Sequence, residues 1–149
     1  MPWVEPVIDR TKADVDYAEA NRNDADSLKG AMNFSDWNRV TGNIYYLADV
    51  LKSGFYITVT VTCKNSWTRA DFPTQSEINK IKKDIESLLA AINMAKSVPG
   101  QPWFMYQKIN IIEELLLEMK EYTERGRERF KDCGTFYAGQ AEILPLGSV

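Results

Sequence analysis

The chain has 149 residues, 44% of them hydrophobic and 26% charged, with 18 basic against 21 acidic side chains and a net charge of −3. That length and composition fit one folded domain with a genuine core and exclude a disordered chain. The near balance of charge offers no footprint for gripping nucleic acid or an anionic membrane, and no apolar run approaches the roughly 20 residues of a membrane span.

Residues 1–10, with Pro2 and Pro6, read as an extended N-terminal arm that is poorly tied down. They lack the cationic start and apolar stretch of a secretory leader, so none is expected. Thr11 followed by Asp14 is a capping box that opens a short helix holding Val15 and Ala18. A second helix starts at Ser35 as N-cap. It carries Trp37, Val40, Ile44, Leu47 and Leu51 on one face and stops at Gly54. The period then changes to two: Ile57, Val59, Val61 and Cys63 alternate with Thr58, Thr60 and Thr62, a half-buried strand over 56–63.

A loop with Trp67 and Phe72-Pro73 leads to Thr74 and Glu77, another capping box. The third helix places Ile78, Ile81, Ile85, Leu88, Leu89 and Ile92 on one side and ends before the breakers Pro99, Gly100 and Pro102. The fourth and longest runs from about Tyr106 to Phe130, with Ile109, Ile112, Leu116 and Met119 on one stripe. Beyond Gly134, Thr135-Phe136-Tyr137-Ala138 reads as a second short strand before an apolar tail. The second and third helices echo each other at a constant offset: Ser35-Asp36-Trp37-Asn38-Arg39-Val40 matches Ser76-Glu77-Ile78-Asn79-Lys80-Ile81, and Asn43-Ile44 matches Asp84-Ile85. Either two amphipathic helices converge on one pattern, or two similar helices pack pseudo-symmetrically. The expected fold is therefore mainly α: a bundle of three principal helices and one short one with a small two-stranded β element. Its parts are the arm 1–10, a helical domain 11–133 containing the strand 56–63, and a strand and tail over 134–149.

Chemistry is conspicuous by what is missing. The chain has no histidine, which removes the Ser-His-Asp and Cys-His nucleophile systems and the histidine-based zinc motifs. No phosphate-binding glycine loop is present. Cys63 and Cys133 lie far apart without a CxxC and read as reduced, small apolar residues. A pair of carboxylates alone can hydrolyse a glycoside. The candidates Glu113, Glu114 and Glu118, however, read as the solvated face of an amphipathic helix. No catalytic, metal or cofactor residue is expected. Among the aromatics, Trp37 heads a core face, while Trp67 and Trp103 plug the ends of the bundle or form a platform with Phe72. Trp3, on the arm, is the hardest to bury and belongs in an interface. With Phe136 and Tyr137, the candidate interface set is Trp3, Trp67, Phe72, Trp103, Phe136 and Tyr137.

Three stretches carry a resemblance. They are Asp9-Arg10-Thr11-Lys12-Ala13-Asp14-Val15, then Leu28-Lys29-Gly30-Ala31-Met32-Asn33 running into Ser35-Asp36-Trp37-Asn38-Arg39-Val40, and Trp67 with Phe72-Pro73-Thr74. The series resembles small tail- and baseplate-associated structural proteins, and segments of larger ones, of phages and prophages of Gram-positive bacteria. It covers about residues 9–92 and departs from the pattern at Trp37, where a smaller aliphatic residue is expected. The resemblance carries no active site. It implies a non-enzymatic structural or docking subunit of a phage tail, baseplate or related particle, made in the bacterial cytoplasm. Its partners would be other particle proteins and copies of itself, with no nucleic acid, membrane insertion or small-molecule substrate. Two rival expectations are a receptor- or carbohydrate-binding module on such a particle and a carboxylate-dependent cell-wall hydrolase.

Overall fold

The computed structural model describes residues 1–103 and 105–132. It is mainly helical, with four α-helices in chain order: α1 (Lys12–Ala20), α2 (Phe34–Phe55), α3 (Gln75–Ala91) and α4 (Tyr106–Asp132). A 3-10 turn over Arg22–Ser27 follows α1. No helix among the described residues is long and apolar enough to cross a membrane.

The capping boxes at Thr11–Asp14 and Thr74–Glu77 form as expected, each satisfying two orphan amide donors at its helix start. The start of α2 differs from the sequence reading. Its N-cap is Asn33 rather than Ser35: the Asn33 side chain accepts from the Ser35 and Asp36 amides, and the Asp36 carboxylate accepts from the Asn33 amide at 3.0 Å. A complete Asn33–Asp36 box satisfies more donors than the Ser35 hydroxyl can, and that hydroxyl itself donates to Asn33. Nor does α2 stop at Gly54. It runs on to bury Phe55, and Tyr56 closes it in the left-handed region at φ 57°. Gly30 is required by packing, because a Cβ there would lie 2.1 Å from the Asp14 carbonyl oxygen of α1.

The expected two-stranded β element is absent among the described residues. Residues 57–63 are extended, and their alternation holds: Ile57, Val59 and Val61 pack on the core while the threonines face out. Among the described residues they have no strand partner, and Thr135–Ala138 lies outside the described residues. A helix side chain stands in for part of the ladder. The Asp84 carboxylate of α3 accepts from the Thr62 amide at 2.9 Å, the Cys63 amide at 2.7 Å and the Thr62 hydroxyl at 3.0 Å.

The three long helices run in the same direction, and the chain returns between them in extended segments. Arg39 of α2 meets Glu113 of α4, and further along Gly54 lies against Arg127, so α2 and α4 are parallel. Residues 57–67 run back along α2, past Tyr45 at Cys63 and Asn38 at Trp67, and deliver the chain to the start of α3. A second return passes Glu118 at Lys96 and reaches the start of α4 at Gly100, whose carbonyl accepts from Lys108. The N-terminal arm is a third such segment, with Val4 level with Asn43 and Arg10 level with Asp36.

This arrangement extends the echo read in the sequence to α4. Trp37, Ile78 and Ile109 are corresponding buried positions, as are Val40, Ile81 and Ile112, then Ile44, Ile85 and Leu116, then Leu47, Leu88 and Met119. Between the first two positions of each helix stands an asparagine: Asn38, Asn79 or Asn110. Each grips one extended segment. Asn38 bonds both the amide and the carbonyl of Trp67, and Asn110 does the same for Arg10. Asn79 accepts from the side chain of Gln101 at 2.8 Å. So α2 holds the segment leading to α3, α3 holds the segment leading to α4, and α4 holds the arm. The pseudo-symmetric reading of the echo is the one the geometry favours.

The core-facing stripe of α3 is buried throughout, with Leu88 at its centre. Leu88→Ala should therefore cost about 2–5 kcal/mol through lost contacts and a cavity. Thr74→Ala, which loses only the cap, should cost about 1 kcal/mol. Urea denaturation of the two variants checks the ranking; equal effects would contradict this account of α3.

Candidate functional site: the pinned arm and the surface it presents

Among the described residues, the most concentrated polar chemistry is a buried cluster of four charges. Asp36 comes from the first turn of α2, Arg39 from its second, Glu113 from the second turn of α4, and Arg10 from the arm. Their side chains expose 9%, 11%, 1% and 3% of their surface respectively. The Arg10 Nη2 donates to Asp36 Oδ1 and Glu113 Oε1, both at 3.1 Å. The Arg39 Nη2 reaches the same two oxygens at 2.5 and 2.6 Å, and its Nε reaches Glu113 Oε2 at 3.0 Å. Backbone donors complete the set: the Val7 amide on Glu113 Oε2 at 2.5 Å and the Asn33 amide on Asp36 Oδ2. Every oxygen of both carboxylates has a donor.

Two positive and two negative charges make the cluster neutral, the condition under which ions persist away from water. Asp36 sits in the first turn of α2, where the helix dipole favours negative charge. Burial alone would lower the pKa of Arg39. Its hydrogen bonds and charge attraction, first to Glu113 and then to Asp36, outweigh that and raise it, so the guanidinium stays charged. The reading of Glu113 as part of a solvated face is therefore corrected. A signal was present in its spacing: Glu113 lies four residues after Ile109 and three before Leu116, on the apolar stripe itself. Asp36, Asn43 and Asp84 share that property on their own helices.

The arm is extended as expected, but it is not loosely held. Asn43 bonds both the amide and the carbonyl of Val4, Glu113 takes the Val7 amide, and Arg10 donates to the carbonyls of Val7 and Lys29. Trp3 is half-buried, 5.5 Å from the Tyr46 ring with the Lys120 ammonium over its face. Its indole N–H has no partner among the described residues. With one side of the arm committed to the core, Val4 and Ile8 face outward. They are 49% and 41% exposed, and Ile111 of α4, adjacent in sequence to the arm-binding Asn110, is 46% exposed.

The remaining candidate aromatics separate cleanly. Trp67 and Trp103 are buried at 4% and 2%, and their indole N–H groups donate internally to the carbonyls of Lys64 and Pro99. Trp67 also packs on Trp37 at 5.8 Å. Phe72, in contrast, is 87% exposed. Phe136 and Tyr137 lie outside the described residues. Cys63 is a buried free thiol whose pKa is raised, first by burial and then by the neighbouring Asp84 carboxylate, so it is held protonated and is a poor nucleophile. Among the described residues no group of three His, Cys, Asp or Glu side chains is arranged to hold a metal ion.

Removing one member of the cluster leaves an uncompensated buried charge. Glu113→Ala should cost about 3–5 kcal/mol, whereas the exposed neighbour Glu114→Ala should stay within about 0.5 kcal/mol. Denaturation midpoints of the two variants check this, and similar losses at the two positions would contradict it. Comparisons of the chain with protein-family models, with curated proteins and with solved structures find no match.

Proposed function

We propose that the chain is a non-enzymatic structural or docking subunit of a phage tail, baseplate or related particle, residing in the virion among other particle proteins and copies of itself. The observation that carries the docking part is the fixed arm with its outward apolar edge. Val4 and Ile8 are presented on a segment already ordered by Asn43, Asn110 and Glu113, and Ile111 is exposed on α4 next to Asn110. A preordered apolar edge gives up little conformational entropy when a partner covers it. The particle assignment rests on the sequence resemblance. The residues that carry it include Arg10, Gly30, Asn33, Asp36, Asn38 and Arg39, which here fasten the arm, the turn onto α1 and the Trp67 segment. They have framework roles, as a scaffold protein requires.

The rival readings draw less from the same geometry. A sugar platform built on Trp67 and Trp103 loses both indoles to the core. A hydrolase using Glu113 finds both oxygens of that carboxylate occupied by arginine and amide donors.

Ile8→Lys and Ile111→Lys change exposed positions and should leave stability within about 0.5 kcal/mol of wild type. Incorporation into particles should nevertheless fall at least tenfold, read by quantitative mass spectrometry of purified particles. Normal incorporation of both variants would remove this edge from the mechanism. Absence of the wild-type chain from particles would overturn the assignment itself.

A further inference from the structure

Asn38, Asn79 and Asn110 stand at corresponding positions of three parallel helices, yet only two of them hold a peptide. Asn38 Oδ1 accepts from the Trp67 amide at 2.7 Å, and its Nδ2 donates to the Trp67 carbonyl at 2.9 Å. Asn110 makes the same pair of bonds to Arg10, at 3.3 and 3.0 Å. Tryptophan and arginine share no side-chain chemistry, so this grip reads extended backbone alone. Asn79 has no backbone partner among the described residues. Its Oδ1 accepts instead from the side chains of Gln101 at 2.8 Å and Gln75 at 3.1 Å, and Gln75 also donates to Gln101 Oε1. The Asn79 Nδ2 donates to no group among the described residues.

A primary amide carries the donor and acceptor of a peptide unit. The Gln101 side chain therefore stands in for the missing backbone, with one bond where Asn38 and Asn110 each make two. It is also easily displaced: Asn79 is exposed, whereas Asn38 and Asn110 are half-buried, and water competes for exposed amide bonds. We propose that Asn79 is a docking position for an extended segment of a partner protein, which displaces the Gln101 side chain and offers Asn79 the amide and carbonyl of one residue. Main-chain bonds supply the affinity in this mode of peptide recognition. The partner is a different protein rather than a second copy, because the extended segments of the described chain are already seated on its own helices: the arm on Asn43, residues 57–67 on Asp84 and Asn38, and the return to α4 on Glu118 and Lys108. The inference rests on the docking role proposed above and adds a second contact to it, independent of the edge formed by Ile8 and Ile111.

The chain's own gripped segments supply the probes: two peptides with blocked ends, copying residues 1–11 and residues 60–69, the latter with Cys63→Ser. Each is titrated to millimolar concentration into the isotope-labelled full chain, and NMR shifts are followed for the side-chain amides and the α3 backbone. The Asn79 and Gln101 side-chain signals should move, while those of Asn38 and Asn110, already occupied, should not. Asn79→Ala should weaken binding at least tenfold. Gln101→Ala, which removes the stand-in, should tighten it at least threefold, an effect that a merely structural Gln101 would not produce. Asn79 signals unmoved by both peptides, equal binding by Asn79→Ala, or weaker binding by Gln101→Ala would overturn the proposal. Asn79 signals that move on raising the protein concentration alone would also overturn it, because the occupant would then be a second copy. None of these failures would bear on incorporation through Ile8 and Ile111.

Discussion

The fold depends on one neutral knot of four charges buried where the arm crosses the starts of α2 and α4. Its members come from three separate parts of the chain: Asp36 and Arg39 already pair within α2, but Glu113 and Arg10 are satisfied only when the arm, α2 and α4 have met. A carboxylate left there without its guanidinium is costly, and so is a guanidinium without its carboxylates. The knot therefore acts as a registration device as well as an attachment. It fixes how far α4 is advanced along α2 and where the arm must lie, in a way that interchangeable aliphatic contacts do not.

A second constraint follows from the parallel helices. Three long helices pointing the same way must be joined by segments that travel the full length of the bundle, and such segments bring backbone polar groups that a helix would have satisfied internally. In a β-sheet a neighbouring strand would bond them. Here asparagine and aspartate on the helix stripes do so. Asn38, Asn43 and Asn110 each bond both the amide and the carbonyl of one residue, and Asp84 takes two consecutive amides. An asparagine side chain offers the same donor and acceptor pair as a peptide unit, which explains its use at these positions. The corresponding placement of Asn38, Asn79 and Asn110 suits a fold built from three repeats of an extended segment followed by a helix.

The helices, their number and most of their core faces are legible in the sequence because they depend on local spacing and capping. The α3 stripe and the Thr74 cap are examples. What was not legible depends on contacts far apart in the chain. Periodicity marks Glu113 as standing on an apolar stripe, but only the approach of Arg10, about a hundred residues earlier, makes burial there tolerable. The firm hold on the arm is illegible for the same reason, since its anchors Asn43 and Asn110 carry no local signal. The alternation over 57–63 correctly gave an extended, half-buried segment. It does not specify that the partner would be a helix carboxylate. The echo is legible between α2 and α3 but hidden in α4, where the spacing changes and Leu115 replaces the polar residue found at Asn43 and Asp84.

An arm held this firmly is a rigid edge of the fold rather than a flexible tether, and the docking role proposed above depends on that rigidity. The claim beneath it is that residues 1–8 belong to the folded core. The most direct measurement is urea denaturation of a chain lacking them, followed by near-UV circular dichroism of the tryptophans. Loss of the Trp3 packing, the Asn43 bonds to Val4 and the Val7 amide on Glu113 should lower stability by at least about 2 kcal/mol. A truncated chain that unfolds at the same midpoint as the full one would contradict the account.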